Sequence, residues 1–230
     1  MDDYNKKRLY PPLWQHDYNV LKRLLNIIRK FMEVIPEKSI IADYGCGSSP
    51  YEELFKPKSS KYLKIDIGNN RSADIKIREN SKLPLKSGSV DVVLSTQVLE
   101  HVMNLPHYIS ESSRILKKKG ILILSTHGIW PYHASPSDYY RFTQIGLRSE
   151  IEKYGFSVKN FIPILGPFAA VSQFTLLLIA ERLKGNNIFS RIVLAVISLV
   201  SNILILIEDK IFPATKNSDA SVFVLWAEKE

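Results

Sequence analysis

A chain of 230 residues fits one large α/β domain or a domain with an insertion, and it is long enough to bury a real core. With 45% apolar residues, no repeat and no low-complexity tract it is neither disordered nor fibrous, and its one cysteine, Cys46, excludes an intrachain disulfide and fits a reducing compartment. The formal net charge of +8 favours an anionic partner without choosing among nucleic acid, phosphorylated substrate and membrane surface, and Met1–Arg8 lacks the apolar core of a signal peptide, so a cytoplasmic protein is expected.

In chain order, residues 17–35 (DYNVLKRLLNIIRKFMEVI) predict a helix. Val20, Leu24, Ile27, Ile28, Phe31 and Ile35 share one face, while Lys22, Arg23, Arg29 and Lys30 lie largely elsewhere. Asp17 is its expected N-cap. SIIADY (39–44) predicts a buried strand and is followed by a helix near 50–56. KYLKID (61–66), ADIKI (73–77) and VDVVLST (90–96) predict three more strands. Residues 105–118 predict a helix ending at Gly120, and ILILST (121–126) the next strand. TQIGLRSEIEKYG (143–155) predicts a helix closed by Gly155, before the late strands FSVKNFIPI (156–164) and SVFVLWAE (221–228).

This alternation predicts an α/β fold with a doubly wound, mostly parallel, seven-stranded Rossmann-like sheet and right-handed crossovers. Ligands of such sheets bind beyond the C-terminal strand ends. That rim would gather Asp43–Ser49, Asp66, Ser95–His101 and Ser125–His133. Residues 165–210 break the alternation with two apolar segments joined by Lys184-Gly185-Asn186-Asn187, an expected helical insertion before the last strand. The expected organisation is an N-terminal segment with a basic amphipathic helix (1–35), a cofactor-binding domain (36–164), the insertion (165–218) and the last strand (219–230).

A strand ending in Asp43, then Gly45-Cys46-Gly47 and a helix, suits a ligand held by bare backbone. Pro50 stands where a dinucleotide fingerprint needs its third glycine, and no P-loop lysine follows. DYGCGSSPY resembles instead the first motif of the class I S-adenosylmethionine-dependent methyltransferases. YLKIDI, LPLKSGSVDVVLSTQVLEHV (83–102), LKKKGILILST (116–126), YGFSVKNF and SVFVLWAEKE resemble that family's later motifs, in order. The resemblance is to its small-molecule members.

It implies S-adenosylmethionine as cofactor, with Asp43, Gly45, Cys46 and Gly47 around its methionine part and Asp66 on the ribose hydroxyls. Glu79 or Asn80 would face the adenine, and Ser95 and Gln97 complete the cofactor-binding set. Independently, Asp66 follows Asp43 by an offset suited to a ribose-binding acid, and a carboxylate can accept two bonds from a vicinal diol. Where the family often has a third glycine, this chain has Ser49. Cys46 has no paired base in sequence and reads as a small loop side chain. No metal is expected.

Methyl transfer to a hydroxyl benefits from a base, and His127 and His133 are the catalytic candidates. His101 reads better as a packing residue at a helix start, and His16 and His107 carry no assigned role. The loop HGIWPYHASPSDYYRFT (127–143) resembles a P-x-D-x-x-R-x-T segment of small-molecule members. Trp130, Tyr132, Asp138, Tyr139 and Arg141 are its substrate candidates, although Asp138 and Arg141 could instead pair to fix the loop and Thr143 could cap the next helix.

On a helical wheel Arg191, Ser198, Asn202 and Asp209 fall on one line, leaving most of the second apolar segment to be covered by protein, a dimer partner or lipid. A hairpin dipping into a membrane surface, or walling a site for a greasy substrate, competes there with an ordinary helical cap over the sheet. The leading function is O-methylation of a small-molecule or lipid-linked acceptor, in the cytoplasm and peripherally on the inner membrane face, with a homodimer as one way to cover the insertion. The alternatives are an RNA or protein methyltransferase, which the absence of a nucleic-acid module and of an Asn-Pro-Pro-aromatic signature disfavours, and a non-catalytic, membrane-associated cofactor-binding scaffold.

Overall fold

Alternate residues along the central strands point to opposite faces, and this period of two splits the apolar residues into two cores. The structure, a computed structural model, describes residues 3–68, 70–183, 185, 187–216 and 218–230; the Lys184 and Asn186 of the expected connection, like Met1 and Asp2, lie outside the described residues. Its strands are β1 (Ser39–Tyr44), β2 (Ser59–Ile67), β3 (Ile75–Ile77), β4 (Val90–Thr96), β5 (Leu116–His127), β6 (Phe156–Ile164) and β7 (Val222–Lys229). They form one seven-stranded sheet in the order β3-β2-β1-β4-β5-β7-β6. The pairings from β3 to β5 are parallel, and β7 runs antiparallel to both neighbours. The expected doubly wound sheet is the one found.

The helices are α1 (Asp3–Leu9), α2 (Tyr18–Phe31), α3 (Glu52–Phe55), α4 (Leu105–Ile115), α5 (Gln144–Glu152), α6 (Pro167–Arg182) and α7 (Ile188–Ile211). On one face of the sheet Ala42, Val93, Leu122, Leu124 and Leu225 pack with Tyr108 and Ile109 of α4 and Leu147 and Ile151 of α5. On the other, Ile41, Val92, Ile123 and Val224 pack with Val20, Leu24 and Ile28 of α2, Leu176 of α6 and Ile205 of α7. The helices α6 and α7 stand between β6 and β7, where the sequence interrupts its alternation.

Two local expectations are corrected. Asp17 does not cap α2 with its side chain; Asp17 Oδ1 accepts instead from Gln15 Nε2 at 2.7 Å. Gly120 does not close α4, which ends at Ile115 with β5 following at once. The chain irregularity lies in the sheet, where Val90 pairs with Leu116 but Val92 with Ile121. At Gly120 a Cβ would stand 2.9 Å from Lys117 O and 3.2 Å from Asp91 O, so a bulge rather than a helix end requires that glycine.

Candidate active site

At the end of β1 the backbone turns through Gly45 with φ +79°, and a Cβ there would meet Val98 Cγ1 at 2.6 Å. Both facts demand glycine. The turn is tied to β2 by Gly45 N and Cys46 N, which donate to Ile65 O at 2.8 and 3.1 Å. Gly47 N then donates to Asp66 Oδ2 at 2.9 Å, Asn70 Nδ2 to the same oxygen at 2.6 Å, and Ile67 N to Asp66 Oδ1 at 2.8 Å. Asp66 thus braces the loop and keeps one acceptor direction of Oδ1 open at the cavity wall.

Asp43 lies behind the loop, fully buried and off the cavity wall. It accepts from Tyr62 Oη at 2.8 Å and from Ser49 Oγ at 3.1 Å, and burial pushes its carboxyl up to about 7. Ser49 has φ +53°, the left-handed backbone for which glycine is the usual residue, and its hydroxyl returns a hydrogen bond to Asp43. Burial lifts the Cys46 thiol to about 12, so it is not a nucleophile at neutral pH.

A cavity of about 770 Å³ runs from this loop across the strand ends. Gly45, Cys46, Gly47, Asp66, Glu79, Asn80 and Gln97 line one end, and His101, His127, Trp130, Tyr132 and His133 the other. Ser95 is absent from the wall; its buried Oγ stands 2.9 Å from Tyr108 Oη. Among the described residues no His, Cys, Asp and Glu group suited to a metal ion occurs.

His127 ends β5 at the cavity floor and stacks flat on Trp130, with ring centroids 4.5 Å apart and 6° between planes. Its Nδ1 lies 3.2 Å from Glu100 Oε1, and neither atom has a hydrogen-bond partner. Glu100 Oε2 accepts from Thr126 Oγ1 at 2.8 Å. Burial is the main cause that holds His127 well below its usual range and raises Glu100 above the usual carboxylate range. Both shifts favour a neutral imidazole. His133 stands at the mouth, exposed, 6.2 Å from His127 and 5.6 Å from His101 between ring centroids.

Asp138, Tyr139 and Arg141 do not line the cavity. Arg141 clasps both oxygens of Asp138, at 2.5 and 2.6 Å, and donates to Trp130 O at 3.0 Å and Pro131 O at 2.7 Å. This pairing, with Arg141 the largest cause, holds Asp138 down to about 2. Asp138 Oδ2 also accepts from His133 N at 2.6 Å, and Tyr139 N donates to Glu100 O at 2.7 Å. Together they fix the loop that presents Trp130, Tyr132 and His133. Thr143 caps α5, accepting from Gly146 N at 3.1 Å.

Glu100 escaped the sequence reading as a site residue. Its signal was there, in the LEHV run, but its partner His127 is brought to it only by the pairing of β4 with β5. His16, Asp17, His101 and His107 also reach the cavity wall.

This fold and backbone cradle define a Rossmann-like nucleotide site. Residues 42–124 match the family model of the methyltransferase domain. A probable S-adenosylmethionine-dependent methyltransferase of Mycolicibacterium smegmatis is 23% identical over 144 residues, 54% of each chain. A ubiquinone biosynthesis O-methyltransferase of Pelagibacter ubique is 28% identical over 131 residues, 48% of this chain and 54% of the relative. The chain thus spans about half the length of these curated relatives. The crystal structure of geranyl diphosphate C-methyltransferase from Streptomyces coelicolor, in complex with Mg2+, geranyl diphosphate and S-adenosyl-L-homocysteine, superposes with a TM-score of 0.55 at 14% identity, covering 100% of this chain and 84% of that one. Residues 42–124 thus match a methyltransferase domain, in line with the resemblance of the motifs to the class I S-adenosylmethionine-dependent methyltransferases.

Proposed function

We propose that the protein transfers a methyl group from S-adenosylmethionine to an oxygen of a small-molecule or lipid-linked acceptor. The observation that carries this reading is one cavity with a backbone-built nucleotide cradle at one end and a buried His127–Glu100 pair at the other. Its volume of about 770 Å³ lies within the range of about 300–1,000 Å³ usual for ligand sites. The residues present fit the cofactor: the open Oδ1 direction of Asp66 suits a ribose hydroxyl, and Gln97, Glu79 and Asn80 line the same end of the cavity. Bound there, S-adenosylmethionine would supply an electrophilic methyl group.

The chain's own part is alignment and proton removal. His127 Nε2 would take the proton of the acceptor hydroxyl. Glu100 Oε1, 3.2 Å from Nδ1, would steady the imidazolium. Trp130 covers one ring face and keeps water from it. Leu177, Ala180 and Leu194 bring α6 and α7 to the same cavity, which supports an apolar acceptor and a peripheral position on the cytoplasmic face of a membrane.

The test is calorimetry with S-adenosylmethionine, followed by product analysis with hydroxyl-bearing lipid extracts, RNA and protein as competing acceptors. Binding with O-methylated lipid or small-molecule product supports the reading. Methylated RNA or protein would replace the acceptor, and binding without any product would leave a cofactor-binding scaffold.

A further inference from the structure

Helix α7 is inverted. Ser198, Asn202 and Asp209 are buried, at 0%, 0% and 7% exposure, while Val196, Val200 and Ile207 are about half exposed. On a wheel of 100° per residue the second set lies opposite the first. A surface helix of a soluble domain does the reverse. Helix α6 continues the outward apolar surface with Phe168 and Val171. Such a face, unlike scattered single apolar side chains, marks a partner or a membrane.

The inner stripe is not a weak seat. Asn202 Nδ2 donates to Leu13 O and Gln15 O at 2.7 and 2.8 Å, and Asn19 Nδ2 donates to Asn202 Oδ1 at 3.0 Å. Asp209 pairs with Arg23 at 2.6 Å and accepts from Gly166 N at 2.6 Å. A helix of 24 residues, about 36 Å long, could cross a bilayer core of about 30 Å, but leaving the domain would strip each of these groups of its partner.

We propose that the α6–α7 hairpin seats in one leaflet of an anionic membrane, with α7 lying in the plane of the interface and its inner face still bound to the domain. Two features favour lipid over a second copy of this chain. Trp14, between the two carbonyls that hold Asn202, is 59% exposed beside the hairpin, where a ring of this kind suits the headgroup level. Basic residues frame the apolar face: Lys22, Arg29 and Lys30 are exposed on the adjoining α2, and Arg191 and Lys210 near the two ends of α7. A self-complementary pairing would set these cations against their own copies, whereas anionic headgroups would neutralise them. The inference rests on the membrane-side acceptor reading for its purpose: Leu177 and Leu194 line the cavity that holds His127, so an acceptor within the leaflet would meet the site without crossing water.

The test is flotation of the full chain with vesicles of phosphatidylcholine containing phosphatidylglycerol, beside vesicles of phosphatidylcholine alone. The first should recover the protein about tenfold or more better. Val200→Asp with Ile207→Asp should release it while calorimetric binding of S-adenosylhomocysteine stays unchanged, so that loss of the anchor is told apart from loss of the cofactor site. Tryptophan added at Ile192 or Ile207, in a Trp14→Phe background whose remaining Trp130 and Trp226 emission is subtracted, should be quenched equally by lipids brominated at one shallow depth. Unlike depths would mean a spanning helix and overturn the in-plane seat. A chain that stays out of the lipid fraction, and that light scattering finds as a dimer which the double variant splits, would give the face to a second copy. Flotation indifferent to the double variant would overturn the proposal as well.

Discussion

Two sets of buried polar groups in this molecule are treated differently. Along the inner face of α7, Asn202 and Asp209 are met by Leu13 O, Gln15 O, Asn19, Arg23 and Gly166 N. At the cavity floor, Glu100 Oε1 and His127 Nδ1 face each other at 3.2 Å with no hydrogen bond to any group. Leaving such atoms unmatched costs roughly 1–3 kcal/mol each. A fold tolerates that where a proton or a ligand completes the pair; along α7 the amide of Asn202 and the carboxylate of Asp209 are matched, while the small hydroxyl of Ser198 and Asn19 Oδ1 stay without a partner. The stripe of α7 is therefore structural, and the pair at the floor is chemical.

The largest effect that separates the two is on turnover. Glu100→Gln keeps the shape of the floor but removes its carboxylate, so His127 loses the group that would steady its imidazolium. We expect the turnover number to fall by about 10²-fold or more, with cofactor affinity and melting temperature little changed. His127→Ala should do the same, and the two losses should not add. A full-rate Glu100→Gln enzyme would make the floor as structural as α7. The pH–rate profile sharpens the point: a base must be deprotonated to act, and burial lowers the His127 pKa. Turnover should therefore persist as pH falls through 6.5, and Trp130→Ala, by wetting the ring, should move the acid limb back toward 6.5.

Next in size is Asn202→Leu. More apolar surface on a helix usually reads as gain, yet here it orphans Leu13 O and Gln15 O, while the Asn19 amide keeps its bond to the carbonyl of residue 202. At roughly 1–3 kcal/mol for each of the two carbonyls, the loss should be about 2–6 kcal/mol in denaturant unfolding, while turnover per folded molecule is kept. An Asn202→Leu protein as stable as the parent would show that the stripe is not what seats α7.

Asp43 tests a third buried group, intermediate between the two. Its folded pKa of about 7 lies above the usual carboxylate value, so its favourable share in stability is present below about pH 4 and is lost as pH rises through 7. Asp43→Asn can still accept from Tyr62 and Ser49 but carries no charge. We expect it to melt higher than the parent at pH 8 without ligand, by an amount that shrinks toward pH 4. An unchanged difference across that range would mean that Asp43 is ionised at little cost.

Much of this was legible in the chain. β1 and β4 fall where their apolar runs begin and end, since a strand buried on both faces writes itself locally. The cradle was legible because Gly45 answers a backbone demand. What failed to be legible depends on distant pairing. Gly120 resembled a helix stop because Lys117–Lys119 before it are polar, and only the register of β4 on β5 reveals a bulge. Asp43 sits on the motif, but its turn away from the cavity depends on Tyr62 of the neighbouring strand. The line through Ser198, Asn202 and Asp209 could be drawn from spacing alone. Which side of that line faces inward could not, because periodicity says which residues share a face and the carbonyls that decide it lie near residue 14.

The smallest effect belongs to the outer face of α7. Val196→Ser with Val200→Ser removes two methyl-rich side chains that are 56% and 54% exposed, so little burial within the chain is lost. Serine and valine also differ little in helix propensity. Each change should stay within about 0.5 kcal/mol of the parent in lipid-free buffer, against the several lost with Asn202→Leu one helical turn away. Where the face meets lipid, the same two changes should weaken retention on anionic vesicles, since each removes apolar area that only the membrane covers. Unfolding in buffer and flotation with vesicles therefore read opposite sides of one helix. A pair of serines that unfolds as readily as Asn202→Leu would mean that the outer face is already covered in solution, and the inversion of α7 would then be the mark of a protein partner.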